Sequence, residues 1–127
     1  MSIIQVPMHI IDAAAGTATN RYLAFGERYN LNSVKIINNG TVPADNSNYA
    51  TITVYGSNGS TAAFSWDTRA ANQGALTDAT SGNLADQSSG LTNYSAGTAI
   101  KLAITKAGSG QALDSMMLFE FESARSY

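Results

Sequence analysis

At 127 residues the chain is one domain's worth of protein, and folding at that size hides about two-thirds of the unfolded surface, enough for a core without metal or disulfide support. Cysteine is absent, which excludes a disulfide framework, a thiolate metal site and a cysteine nucleophile. Charged residues make up only 13%, with seven basic against nine acidic residues for a net charge of -2; so few scattered cations cannot neutralise a run of phosphates, and no nucleic-acid partner is expected.

The first residues, Met1-Ser2-Ile3-Ile4-Gln5-Val6-Pro7, have neither the basic start nor the apolar stretch of a signal peptide, and no window approaches the roughly 20 apolar residues of a membrane helix. The expectation is a chain synthesised in the cytoplasm, with no membrane partner. Ile3 to Ile11 reads as a strand, but Pro7 cannot donate to a ladder, so residues 1–11 are an N-terminal arm or an edge strand. The run Ala13-Ala14-Ala15 is ended at once by Gly16 and Thr17, and no window holds a 3.6-residue period, so helix is minimal. Arg21 to Phe25 and Ser33 to Ile37 are the next strand candidates; in the second, Val34 and Ile36 lie opposite Lys35 and Ile37.

The clearest strand is Asn48 to Tyr55, where Ala50, Ile52 and Val54 alternate with Tyr49, Thr51, Thr53 and Tyr55. Gly56-Ser57-Asn58-Gly59 follows, a turn in which glycine permits positive φ, and then Ala62, Phe64 and Trp66 alternate with Ala63, Ser65 and Asp67 to complete a hairpin. Between Asp67 and Gly97 the chain is polar but weakly charged, with Gly74, Gly82 and Gly90 at equal intervals and Leu76, Leu84 and Leu91 just behind them; three turns between short strands account for it. A last pair follows: Ile100, Leu102 and Ile104, the turn Gly108-Ser109-Gly110, then Met117, Phe119 and Phe121 alternating with Leu118, Glu120 and Glu122.

Short strands with Gly/Asn turns predict an all-β fold, an antiparallel β-sandwich of jelly-roll type with about eight strands, forming a single domain over 1–127. Its core is expected to hold Ile36, Ile52, Val54, Phe64, Trp66, Ile100, Leu102, Ile104, Phe119 and Phe121.

Catalytic chemistry finds little support in the pattern. The single histidine, His9, has Asp12 as its sole nearby carboxylate and no nucleophile beside it, so it reads as a packing or interface residue. A trimer could gather three copies of His9 on its axis, but no second ligand motif accompanies them. Lys106-Ala107-Gly108-Ser109-Gly110 lacks the Gly-Lys-Ser/Thr end of a phosphate loop and reads as a hairpin turn. Glu120 and Glu122 share a strand face and read as a solvated one. Six tyrosines with Trp66 could form a sugar-stacking platform, although aromatics on small sandwiches more commonly anchor cores and interfaces. No enzyme, catalytic residue, metal or cofactor is expected.

The order Ala15-Gly16-Thr17 before Arg21-Tyr22-Leu23, then Asn48-Tyr49-Ala50-Thr51, Gly74-Ala75-Leu76-Thr77, Ala96-Gly97-Thr98 and Thr105-Lys106-Ala107-Gly108-Ser109-Gly110 resembles small jelly-roll structural proteins of tailed bacteriophages, often decoration (cement) proteins of the capsid. The resemblance implies a homotrimer on the outside of the virion capsid that binds the major capsid protein, bridges its neighbouring subunits and stabilises the head. A carbohydrate-binding, lectin-like module and a phage tail or fibre component are the alternatives. The apolar run Ile3-Ile4-Gln5-Val6-Pro7-Met8 is unusual for a free edge strand and predicts cover by a neighbour. The expected capsid-facing or inter-subunit residues are therefore Ile3, Ile4, Val6 and Met8, with Arg125 and Tyr127 at the other end of the chain.

Overall fold

The structure is a computed structural model that describes residues 3–12 and 19–123. Ten strands follow in chain order: β1 (Ile3–Asp12), β2 (Thr19–Leu23), β3 (Tyr29–Asn38), β4 (Tyr49–Tyr55), β5 (Ala62–Asp67), β6 (Ser81–Asn83), β7 (Ala85–Asp86), β8 (Asn93–Tyr94), β9 (Ile100–Ala107) and β10 (Leu113–Ser123). No helix long and apolar enough to cross a membrane occurs among the described residues.

The pairing is that of a long hairpin rolled up on itself. At its tip β4 pairs β5, and outward from there β3 pairs β6 and β8, β2 pairs β9, and β1 pairs β10, all antiparallel. Rolling adds β10 beside β3 and β9 beside β4, which divides the strands into sheets ordered β1-β10-β3-β6, with β8 also on β3, and β2-β9-β4-β5-β7. This is the jelly-roll sandwich expected from the pattern. The strand count exceeds eight because the polar stretch after β5 breaks into three short pieces, with positive φ at Ala79 just before the first and at Ser88 and Gly90 between the last two.

The core lies between the sheets. Ala50, Ile52 and Val54 of β4 are fully buried, as are Ile36, Ile100, Leu102, Ile104, Phe119 and Phe121. Full burial of such a side chain stabilises by about 1.5–3 kcal/mol. Phe121 is central: its ring meets Phe25 edge-on at 4.9 Å and stacks with Phe119 at 6.3 Å. Trp66 departs from expectation in being only half-buried. It pairs with Ile52 on the inward face of β5 and crosses to the opposite sheet, where its ring covers Gly82 of β6. A Cβ at Gly82 would stand 2.7 Å from that ring, so only glycine fits beneath it. The indole Nε1 donates to the Gly74 carbonyl at 3.1 Å, which satisfies the polar end left near the surface.

Polar groups taken inside are paired. Asn38, at 3% exposure, accepts hydrogen bonds at Oδ1 from the Asp114 backbone and the Ser115 hydroxyl, and so ties β3 to β10. Tyr94 is buried and donates its hydroxyl to the Tyr55 carbonyl at 2.6 Å; burial pushes its ionisation up to about 12. Lys106 of β9, nearly inaccessible, meets Asp12 at the end of β1 at 3.1 Å, a link between the two sheets.

Candidate functional site

β1 lies at the edge of its sheet, paired with β10 from Ile3 opposite Glu122 to Asp12 opposite Leu113. An edge is where a proline does least harm to a ladder, and Pro7 sits there. Alternation then sorts the strand into two sets. Ile4, Val6 and Met8 turn inward, half-buried against the core, and Ile10 is fully buried beside them. Ile3, Gln5, Pro7, His9 and Ile11 turn outward. Of the expected contact residues, Ile3 alone projects from the described surface; Ile4, Val6 and Met8 are engaged with their own sandwich, because β1 pairs along its whole length and takes their apolar faces inside. Arg125 and Tyr127 lie outside the described residues.

The outward face of this sheet is built in rungs. His9, Met116 and Ile37 stand side by side across β1, β10 and β3, followed by Pro7, Leu118 and Lys35. Ile11 lies next to Asp114, and Ile3 next to Glu122. Five large apolar residues are well exposed among the described ones, and four of them, Ile3 (61%), Ile11 (68%), Ile37 (42%) and Met116 (43%), project from this face; the fifth is Tyr22 on the other sheet. Single exposed apolar residues are ordinary; here Ile37 and Met116 are direct neighbours, Ile11 lies beside Asp114, and Ile3 stands at the far end of β1.

Beside the Ile37-Met116 rung is a depression of about 300 Å³ with a mainly apolar lining, formed by those two residues and Ala79 together with His9, Asn38, Asn39, Asp78 and Asp114. His9 Nε2 donates to Asp114 Oδ1 at 2.6 Å, and Asn39 Nδ2 donates to Asp114 Oδ2 at 3.1 Å. The His9 bond first, then that from Asn39, holds the Asp114 carboxyl below its ordinary range against a small opposing effect of desolvation. Asp78 Oδ1 accepts from the Gly40 backbone at 2.7 Å. Each carboxylate thus keeps lone pairs for a further donor.

His9 finds its acid across the sheet and not along the chain. Asp12, the neighbour singled out in the sequence, is an odd number of residues away and faces the other side of the strand, toward Lys106. The outward apolar residues were partly visible, since Ile37 opposes Val34 and Ile36, and Met116 precedes the inward Met117. Their convergence was not, because it requires β1, β10 and β3 to be adjacent. Among the described residues no three His, Asp or Glu side chains gather as metal ligands.

The aromatics do not form a platform. Trp66 is held under Gly74 and over Gly82, Tyr94 is buried, and Tyr29 packs on Phe25 at 4.9 Å. Tyr49 lies beneath Arg69 and Tyr55 beneath Lys101, at 4.5 and 4.9 Å from cation to ring centre. Tyr22 is well exposed, and Tyr127 lies outside the described residues. The Lys106 to Gly110 segment turns from β9 toward β10, with Ser109 N bound to Asn48 Oδ1 at 2.7 Å; a Cβ at Gly108 would collide with the same Asn48 oxygen and with the Ser47 carbonyl.

No protein-family model matches this chain, and no curated protein matches it. Among solved structures it is similar to a chain in the structure of infectious bursal disease virus, Gx strain, with 16% identity and a TM-score of 0.38 over 99% of this chain and 33% of that one. This chain therefore spans about a third of the length of the chain it matches.

Proposed function

We propose that the chain is a virion structural protein, a decoration (cement) protein that sits as a trimer on the outer surface of a phage capsid and binds its major capsid protein. The observation that carries this reading is that four of the five well-exposed large apolar residues among the described ones, Ile3, Ile11, Ile37 and Met116, project from one face of a jelly-roll sandwich. A face of this kind suits a protein partner with a complementary apolar surface. The short turn motifs that resemble phage decoration proteins point the same way. Each contact would be small, but a trimer on a rigid lattice engages three at once, and the second and third are intramolecular. Bridging neighbouring capsid subunits in this way would resist pressure from packaged DNA.

A lectin-like role needs stacked aromatics on an open face, and the described tyrosines and Trp66 are dispersed or covered. A tail or fibre component would use the same apolar face, and location separates it from a decoration protein. The test is to mix the purified protein with capsids of its source particle that lack it, sediment them, and reconstruct the pellet by electron microscopy. Threefold density on the shell exterior is expected. Density confined to the tail, or no co-sedimentation, would overturn the assignment.

A further inference from the structure

We infer that the depression beside Ile37 and Met116 receives an arginine side chain presented by the protein partner. The inference deepens the proposed function: the partner's identity rests on that reading, while the chemistry of the pocket rests on its own lining.

The apolar part comes first. Ile37 and Met116 belong to β3 and β10, interior strands of their sheet, yet expose more than two-fifths of their surface. An aliphatic stem laid across them would remove that surface from water. The polar part selects the tip. Asp78 and Asp114 line the depression and neither lysine nor arginine does. Beyond it the same face carries Glu120 and Glu122 against a single lysine, Lys35. An anionic occupant would meet two carboxylates, and a purely apolar one would desolvate them without replacing their hydrogen bonds. A cation on an aliphatic stem meets both demands.

Between the two such side chains, the lining favours arginine. Asp114 already accepts from His9 and Asn39, one donor on each oxygen, and Asp78 accepts from Gly40. The remaining lone pairs belong to separate carboxylates, which suits a planar fork with several donors better than a compact ammonium.

Two arms test this. In the first, the ¹⁵N-labelled protein is titrated with n-butylguanidinium, n-butylammonium and neutral butyramide. Saturable shifts centred on Ile37, Asn39, Asp114 and Met116, strongest for n-butylguanidinium, are expected. Asp114→Asn, which keeps shape and removes charge, should weaken that binding about fivefold, the scale of one exposed ion pair. Ile37→Lys, which brings a cation of the chain itself to the depression, should abolish it. Shifts centred elsewhere, or equal for butyramide, would overturn the inference; equal binding of n-butylammonium would overturn the choice of arginine.

In the second arm, capsid occupancy is compared for wild type and the double variant Asp78→Asn/Asp114→Asn. A clear drop is expected, since a weakening at each contact multiplies over a trimer. Unchanged occupancy would overturn the pocket's part in attachment and leave the decoration role standing. Failure of the wild type to bind capsids, with n-butylguanidinium still bound in the depression, would overturn the decoration role and support the pocket chemistry.

Discussion

The outer faces of the two sheets have opposite characters. On the sheet of β2, β9, β4 and β5, the outward set of β4 is Tyr49, Thr51, Thr53 and Tyr55, neighboured by Ser65 and Thr105. Its rings are capped by cations of the same chain, Arg69 on Tyr49 and Lys101 on Tyr55, and Arg69 also grips Asp67 with a bidentate bond. On the sheet of β1, β10 and β3, isoleucines and a methionine stand open and the carboxylates beside them keep unused lone pairs. Tyr22 apart, the first face is satisfied from within the molecule, and the second is not. On the proposed function the second face is the contact surface, because its chemistry remains incomplete.

The largest effect is expected in the interior that the two faces share. Phe121→Ala removes a ring that touches both Phe25 and Phe119, and should cost about 3–5 kcal/mol, read as a fall in the urea midpoint. Such a variant would weaken every binding function through a smaller folded population, and so marks the response from which surface effects must be told apart.

Next comes the link between the sheets. Lys106→Met leaves the Asp12 carboxylate without its ion pair at a largely buried site and should destabilise by about 3 kcal/mol or more. Adding Asp12→Leu should recover much of that loss, since a well-packed apolar pair often replaces a buried ion pair without penalty. A double variant no more stable than Lys106→Met would show that this junction depends on the charges themselves.

The comparison of faces is sharpened by paired surface substitutions. Met116→Gln on the open face and Thr53→Val on the satisfied face should each change stability by about 0.5 kcal/mol or less, being outward side chains. Capsid binding should fall for Met116→Gln and stay unchanged for Thr53→Val. Equal losses from the two would remove the distinction between the faces.

How much of this was legible in the sequence depends on the range of the interaction involved. Period-two alternation is local, so Ala50, Ile52 and Val54, and likewise Met117, Phe119 and Phe121, were assigned to the interior from their own neighbours. Trp66 was assigned correctly to the inward face but not to full burial, because its ring reaches the sheet margin, where Gly82 leaves room for it. The apolar N-terminal run looked like a docking arm because it is apolar on both sides; pairing with β10 takes Ile4, Val6 and Met8 inside and leaves Ile3 and Ile11 out. The His9-Asp114 contact joins residues brought together only by pairing the first strand with the last, and no local pattern carries that information.

The smallest effect is electrostatic and uses one carboxylate from each face. At Asp67 partial burial pushes the carboxyl up, but the hydrogen bonds from Arg69 and that cation's charge outweigh it and hold the group below its ordinary range. At Asp114 the bonds from His9 and Asn39 do the same in a more open setting. A carboxyl whose folded value is depressed contributes stability above its unfolded value, near pH 4, and loses that contribution as pH falls through the folded value. Both sites should therefore add to acid sensitivity below about pH 4 and add nothing to the change between pH 6 and 8. The more enclosed, bidentate Asp67 should show the larger effect. Arg69→Gln should flatten the acid limb of a plot of thermal midpoint against pH more than Asn39→Ala does, because it removes the dominant partner of the more shielded group. The reverse ranking would mean that the open face, like its opposite, holds its charges chiefly through bonds within the chain, and that Asp114 has less to offer a partner than its free lone pairs suggest.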